Sequence, residues 1–419
     1  MLVLDFSQFL SGPYAGLRLA DLGARVIKIE RPDGGDICRR LYISNLELDG
    51  DSTLFHSINR NKESYAVDLK NATDRGKLRK LLQRADVMIQ NFRPGVIEKL
   101  GFGYDDVRTI NPRLVYGSIS GYGKEGPLVK RPGQDLLVQS FVGLPWLQRT
   151  SRTRSGPIPF GLAIADMMTG SHLAQGILAA LVRRAVSGIG ALVEVSLLES
   201  TLDAMQELWV VRERERVQAR AAHSSTVGVV GAARIKESAS GATGTASDRD
   251  DTSGQAGYGV YTRNHVASEL PAGLYRVKDG YIAIERASLT DLCAALGIHY
   301  AIEESAPVSA ADVLELLQQQ PAACWLEKLR AAGLVCEELW SWQQLVQHEV
   351  FRGLDMTRQV RRPSGAQMTA LACPIRLNGQ RPDAGGGAPI VGEHNARIES
   401  EWQLVEARNV EMNIDNKRL

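Results

Sequence analysis

Short apolar runs alternate with amphipathic stretches through the first 200 residues. Leu2-Val3-Leu4-Asp5-Phe6 reads as a buried strand, Ser11-Gly12-Pro13 breaks it, and residues 14–22 have helical spacing that ends at Gly23. Arg25-Val26-Ile27-Lys28-Ile29-Glu30 is the next strand, stopped by Arg31-Pro32. Further strands are expected over 65–69, 86–90, 114–119 and 191–197, with an amphipathic helix over 74–85 and a long one over 166–184. Strands separated by helices of this length imply βαβ units and a parallel sheet, an α/β fold.

The pattern then changes. A second long helix starts near Glu199 and becomes charged at Arg212-Glu213-Arg214-Glu215-Arg216, a solvated face. Residues 219–258 are dominated by Ala, Ser, Gly, Thr and Val without periodicity, which suggests a long linker or mobile loop. Gly273-Leu274-Tyr275-Arg276 and Tyr281-Ile282-Ala283-Ile284, joined through Lys278-Asp279-Gly280, form a hairpin signal. Helices over 289–296, 310–318 and 324–332 complete a smaller α+β unit, and the tail holds a strand over 370–377 and a helix over 396–406.

Composition excludes several classes. The 49 Lys+Arg against 48 Asp+Glu leave a formal charge of +1, so no global field gathers nucleic acid or an acidic membrane. An anion must bind through a local site. Cys38, Cys293, Cys324, Cys336 and Cys373 form no CxxC pair, so neither a disulfide framework nor a zinc knuckle is expected, and a reducing cytoplasm fits. The N-terminus opens directly on a strand and no apolar run approaches a bilayer span, so neither a leader nor a membrane helix is expected.

The first strand-to-helix turn, Gln8-Phe9-Leu10-Ser11-Gly12-Pro13, is neither GxGxxG nor GxxxxGK[ST]. The one GxGxxG, Gly121-Tyr122-Gly123-Lys124-Glu125-Gly126, is followed by Pro127 instead of a helix, so it carries little. What remains is polar residues after predicted strands: Arg31, Lys70, and Asn91-Phe92-Arg93. Carboxyl ends of parallel strands are where such sheets bind ligands. Taken singly each reads as a surface group. Together they can hold a multiply phosphorylated ligand, with Phe92 to pack on a ring. Asp166 ends an apolar run and opens a helix, which makes it an N-cap or a carboxylate nucleophile; the helix N-terminus favours its anion in both roles.

An ordered series of motifs runs through these segments. It includes Leu4-Asp5-Phe6 with Ser11-Gly12-Pro13, residues 22–32, Asn61-Lys62-Glu63-Ser64 through Lys70, and Asn91-Phe92-Arg93-Pro94-Gly95 with Lys99-Leu100-Gly101-Phe102. Asn111-Pro112-Arg113-Leu114, Ser118-Ile119-Ser120-Gly121 and Gly392-Glu393-His394 extend it. In these residues the chain resembles the family III CoA-transferases, the CaiB/BaiF-like group with formyl-CoA, carnitine and benzylsuccinate CoA-transferases. The resemblance implies a Rossmann-like large domain begun by residues 1–200, a connecting helix and linker over 201–265, a small α+β domain over 266–345, and a return segment over 346–419. It implies an interlocked homodimer that moves CoA from an acyl-CoA to a free carboxylic acid through aspartyl anhydride and aspartyl-CoA thioester intermediates. Asp166 matches the family's nucleophile. Leu10, Ser11, Arg31, Lys70, Asn91, Phe92, Arg93, Lys99 and Gln134 fall on CoA-contacting positions, and no metal or resident cofactor is implied. The glycine-rich loop that covers the family's active site is placed either within 219–258 or at Gly273.

An α-methylacyl-CoA racemase of the same superfamily is the rival, with a non-catalytic CoA-binding protein behind it. The racemase needs a proton shuttle, typically a His-Asp pair, where this chain has Gln134-Asp135; an amide cannot shuttle protons. Arg149, Arg152 and Arg154 lie in the loop leading to Asp166, and an Arg fork suits a second carboxylate on a succinate-type dicarboxylate.

Overall fold

A computed structural model describes residues 1–42, 44–147, 157–227, 273–285, 287–298, 310–382 and 385–404. The chain divides into two compact units: Met1–Val138 with Leu162–Thr201 and Glu349–Leu419, and Gln139–Gly161 with Leu202–His348.

The first unit is built on six strands: β1 (Leu2–Asp5), β2 (Arg25–Glu30), β3 (Lys62–Ala66), β4 (Val87–Gln90), β5 (Val115–Ser120) and β6 (Ala191–Ser196). Every pairing is parallel and the spatial order is β3-β2-β1-β4-β5-β6. The chain builds outward from β1 to β3, then returns to lay β4 on the other side of β1. The strand order therefore reverses between β1 and β4, where open α/β sheets bind ligands. One sheet face buries Leu4, Phe6, Ile27, Tyr65, Met88 and Tyr116 against Leu78 and Leu82 of helix Ala72–Leu82 and against Ile398. On the sheet also pack α1 (Ser11–Asp21) and α2 (Ile164–Ser187); Leu173 and Ile177 of α2 press on Gly117 of β5. A sheet covered on both faces needs near-continuous apolar strands, as these are.

Two local expectations are corrected. Ser11-Gly12-Pro13 does not break the chain but forms the first turn of α1. A proline there sacrifices only an amide that has no intrahelical acceptor. The third strand is Lys62–Ala66, not 65–69. Lys62-Glu63-Ser64 looks too polar for an interior strand, yet Lys62 is fully buried because Asp5 on β1 pairs with it at 2.9 Å.

The free edge of β3 is covered by backbone and side-chain groups of the return segment that imitate a strand. His394 N–H donates to the Ser64 carbonyl (3.1 Å) and His394 Nδ1 accepts from Ser64 N–H (3.2 Å). Asn395 repeats the device on Ala66, its Oδ1 accepting from the amide and its Nδ2 donating to the carbonyl, both at 2.8 Å. Burial holds His394 below its ordinary value, which keeps Nδ1 available as an acceptor. This is the physical content of the Gly392-Glu393-His394 motif: a masked edge. The tail also forms a hairpin, β10 (Thr357–Arg361) with β11 (Gln367–Leu371), in place of the single strand expected over 370–377.

The second unit carries a three-stranded antiparallel sheet, β7 (Gly273–Arg276), β8 (Tyr281–Glu285) and β9 (Val335–Glu338), with β8 central. Ile282, Ile284, Leu292, Leu317, Leu329 and Trp325 form its core. Trp325 Nε1 donates to the Leu317 carbonyl at 2.8 Å, which satisfies the one polar atom of a fully buried indole. The expected hairpin is present. Helix Gln206–Val227 takes in the first nine residues of the supposed linker 219–258, and the rest of it lies outside the described residues. Gly273 is a strand residue of β7.

Candidate active site

At the reversal of strand order, the β1–α1 loop meets the start of α2. Helix α2 begins at Ile164, so Asp166 is its third residue and not its N-cap, as the sequence also allowed. The capping role falls to a distant carboxylate: Asp135 Oδ1 accepts from the Asp166 N–H at 3.2 Å. Asp135 is brought there by a glycine pair. A Cβ on Gly121, just past β5, would lie 2.4 Å from Gly133 Cα, so only glycines let the two backbones approach this closely. The weak GxGxxG of the sequence is thus a packing device.

Ser11, the first residue of α1, lies beside the Asp166 carboxylate and favours its charged form. The meeting depends on a close helix crossing. One turn beyond Asp166, a Cβ on Gly170 would lie 2.5 Å from the Ser11 carbonyl oxygen, so α1 and α2 touch backbone to backbone at that level. Ser11, Asp135 and Asp166 therefore form one cluster. Asp166 is half-buried, and its pKa is pushed up to about 7, first by burial and then by the Asp135 charge, with the neighbouring Ser11 opposing both. A carboxylate so placed is a stronger nucleophile than an exposed one, yet still substantially ionised near neutrality. The backbone amides at this helix start are mostly committed: those of Ile164, Asp166 and Met167 already donate to Leu162, Asp135 and Ala163.

The remaining expected site residues that the structure describes follow the carboxyl ends of the strands. Leu10 is the N-cap of α1, and its side chain packs on Cys38, Phe55, Ile58 and Ala388. Arg31 follows β2, is exposed, and donates to the Gly35 carbonyl at 3.3 Å. Lys70, Arg93 and Lys99 are exposed beyond the ends of β3 and β4, and Gln134 is exposed beside Asp135. No recorded interaction among the described residues links these to Asp166. Asn91 has a definite occupation: its Oδ1 accepts from Gln8 N–H (2.9 Å) and its Nδ2 donates to the Gln8 carbonyl (2.7 Å), tying the end of β4 to the β1–α1 loop. Phe92 is half-buried against the main core. Arg149, Arg152 and Arg154 lie outside the described residues.

Beneath the loop lies a buried ionic network that the sequence reading did not single out. Lys28 Nζ pairs with Asp36 Oδ2 (2.7 Å) and donates to the Ser7 carbonyl (2.8 Å). Lys62 Nζ pairs with Asp5 Oδ2 and donates to the Pro13 carbonyl (2.8 Å) and Asn59 Oδ1 (2.9 Å). Glu30 forks onto Arg39, and Arg39 and Arg362 share Asp51. Burial pulls the Lys62 ammonium down to about 8 against the attraction of Asp5. Burial also opposes charge on Lys28, but Asp36, Asp5 and Glu30 outweigh it and hold the ammonium above its ordinary value. The available signal was charge at Lys28 and Glu30 inside a strand flanked by apolar residues, since a buried charge requires a partner.

The comparisons with known proteins agree with this architecture. The model of CoA-transferase family III matches residues 1–238 and 229–395. A probable fatty acyl-CoA transferase of Mycobacterium tuberculosis is 32% identical over 408 residues, covering 94% of this chain and 95% of the relative. The crystal structure of that mycobacterial protein, in an orthorhombic form, superposes with a TM-score of 0.71 at 29% identity, over 95% of this chain and 98% of that one. A formyl-CoA:oxalate CoA-transferase of Streptomyces avermitilis is 31% identical over 94% of this chain and 93% of its own length. A CaiB/BaiF family protein of Brucella suis superposes with a TM-score of 0.70 at 25% identity, over 96% of this chain and 98% of that one. A family match along nearly the whole chain, joined to one fold and one strand-reversal site, has a single meaning: the chain belongs to CoA-transferase family III.

Proposed function

We propose that this chain transfers CoA from an acyl-CoA to a free carboxylic acid, with Asp166 as the covalent nucleophile. The observation that carries the reading is the Ser11–Asp135–Asp166 cluster at the strand reversal. An Asp166 carboxylate oxygen attacks the thioester carbonyl carbon, the C–S bond breaks, and an aspartyl anhydride and CoA thiolate result. The thiolate attacks the aspartyl carbonyl and releases the donor acid, which leaves an aspartyl-CoA thioester. The acceptor carboxylate attacks that thioester, and the released thiolate then attacks the acceptor's acyl carbon, which frees Asp166. Covalent catalysis divides one hard exchange into easier ones. Arg31, Lys70, Arg93 and Lys99 supply cations for the phosphates of CoA, Phe92 an apolar surface near them, and Leu10, Asn91 and Gln134 the adjoining wall. Incubation with acetyl-, succinyl- and formyl-CoA against a panel of carboxylates, with mass identification of thioesters, tests the reading. Failure of every pair to give a new thioester counts against it.

The electrostatics make a second prediction. Only ionised Asp166 attacks, so kcat/KM should fall tenfold per unit as pH drops below about 7. Asp135→Asn removes the like charge while keeping an acceptor for the Asp166 N–H. The limb should move to lower pH, by roughly half a unit to one unit. A limb that stays or moves upward would show that Asp135 does not act on the titrating group.

We take the acceptor or donor to be a dicarboxylate. Oxalate, named for the Streptomyces relative, is one, and Arg149, Arg152 and Arg154 offer cations for a second carboxylate. Single Ala substitutions at these three should lower kcat/KM for succinate roughly ten- to hundredfold at the contacting position and leave butyrate within about twofold. Equal effects on both acids discard the idea. The active form is taken to be a homodimer, in keeping with the exposure of Val182 (72%) and Val186 (93%) on α2. A molar mass in solution near twice 45.8 kDa checks it.

A further inference from the structure

We propose that Asp36 is a positioning residue for the active site: its carboxylate, anchored by the buried Lys28, holds the β1–α1 loop in a left-handed kink at Phe9 and so sets Ser11 against Asp166. The inference rests on the nucleophile reading only for its link to catalysis; the geometry stands without it.

The loop from Ser7 to Leu10 is held by side chains from several other segments. Asp5 Oδ1 accepts from the Ser7 amide (3.0 Å) and from the Ser7 hydroxyl. Lys28 Nζ holds the Ser7 carbonyl, and Asn91 holds both backbone groups of Gln8. Asp36 Oδ1 accepts from Phe9 N–H (3.2 Å) and from Cys38 N–H (2.9 Å), while its Oδ2 pairs with Lys28. Phe9 sits at φ +65°, a conformation a bulky residue keeps only when its surroundings over-determine it. Its side chain is exposed (42%) and is not buried in the core. The constraint is the amide, and the amide's partner is Asp36. Two residues on stands Ser11. Asp36 is 2% exposed and Lys28 fully buried, so the pair cannot swing out to water and the anchor is rigid. A buried pair of this kind is weak evidence for stability, but fixing one conformation is its best-attested use.

Among the described residues, Asp135 and Ser11 act on the Asp166 carboxylate, so displacement of Ser11 can be read at Asp166 itself. The experiment follows the side-chain carboxyl of Asp166 by 13C NMR in the full-length protein labelled at aspartate, assigned by its disappearance in Asp166→Asn. Ser11→Ala should raise the Asp166 midpoint by about half a unit to one unit. Asp36→Asn should raise it likewise, and the double variant no further than Ser11→Ala alone. Asp36→Asn leaves Lys28 unpaired and can fail to fold; Lys28→Met with Asp36→Leu removes both charges together and should show the same rise. A folded variant of either kind whose Asp166 midpoint stays at the wild-type value overturns the proposal. Transfer rates separate the two readings. An unmoved midpoint with an inactive Asp166→Asn sinks the positioning role alone, while a shifted midpoint with an active Asp166→Asn sinks the nucleophile alone.

Discussion

On the proposed mechanism, replacing Asp166 by alanine should reduce CoA transfer by about 10³-fold or more, since the aspartyl intermediates then have no carboxylate to form on. Among the described residues Asp135 is the carboxylate beside it, and its Oδ1 is committed to the Asp166 amide. Hydroxylamine added during turnover should convert Asp166, and no other carboxylate, to a hydroxamate detectable in the peptide map. A correctly folded Asp166→Ala protein with near-normal turnover would remove Asp166 from the mechanism. The same group makes a stability prediction of the opposite sign. Its folded pKa, about 7, lies above the unfolded value of 3.8, so the folded state prefers the protonated form. The stability contributed by that preference is fully present below pH 4 and is lost as pH rises through 7. Asp166→Asn removes the buried charge, so the variant should gain on wild type above pH 7 and lose that advantage below about pH 4. The gain should be about 1 kcal/mol, because the half-buried carboxylate is partly screened and the start of α2 favours its anion. A site that is more stable without its functional group is the ordinary trade-off at a nucleophile.

Much of this was legible in the sequence, and the failures have physical causes. The strand runs at β1, β2, β4, β5 and β6 were found because a parallel sheet covered on both faces demands continuous apolar stretches. β3 was displaced by three residues because Lys62 breaks that rule, and it does so only because Asp5, far off in sequence, neutralises it. Asp166 was identified as the chemically interesting carboxylate, but its place within the helix was not. The capping group belongs to Asp135, 31 residues away, and no local signal reports it. Asn91 was read as a ligand contact at a strand end, and there it also holds the backbone of Gln8. Both roles arise from the same cause, since the strand reversal is where loops from β1 and β4 must be joined. The 22-residue helix Gln206–Val227 ran past its expected end because Ala, Ser and Val in 219–227 lack an apolar stripe but are permissible in a helix.

Arg362→Ala should cost about 3–5 kcal/mol, the range for removing one partner of a buried ion pair. Arg362 is 3% exposed and uses every nitrogen of its fork. Nε donates to the Ala388 carbonyl (2.7 Å), Nη1 to the carbonyl and side chain of Asp49 (3.2 and 3.1 Å), and Nη2 to Asp51 Oδ2 (2.5 Å). Asp51 is shared with Arg39, which forks onto Glu30 at the end of β2 and lies over the Phe55 ring at 3.8 Å. Residues from near positions 30, 50, 360 and 390 therefore meet in one charge network. Truncating Arg362 leaves Asp51 with one cation instead of two and strands the buried Ala388 carbonyl, whereas truncating an exposed arginine such as Arg358, paired to Asp355 at the surface, should cost under about 1 kcal/mol. Arg362→Lys retains charge without the planar fork and should fall between the two. The first thermal transition of Arg362→Ala should drop by roughly 6–20 °C, read as that transition alone because a chain of two units need not unfold in one step. An Arg362→Ala protein as stable as Arg358→Ala would mean that the return segment is held by its apolar contacts, such as Ile398 in the main core, and that the ionic network serves only to set conformation.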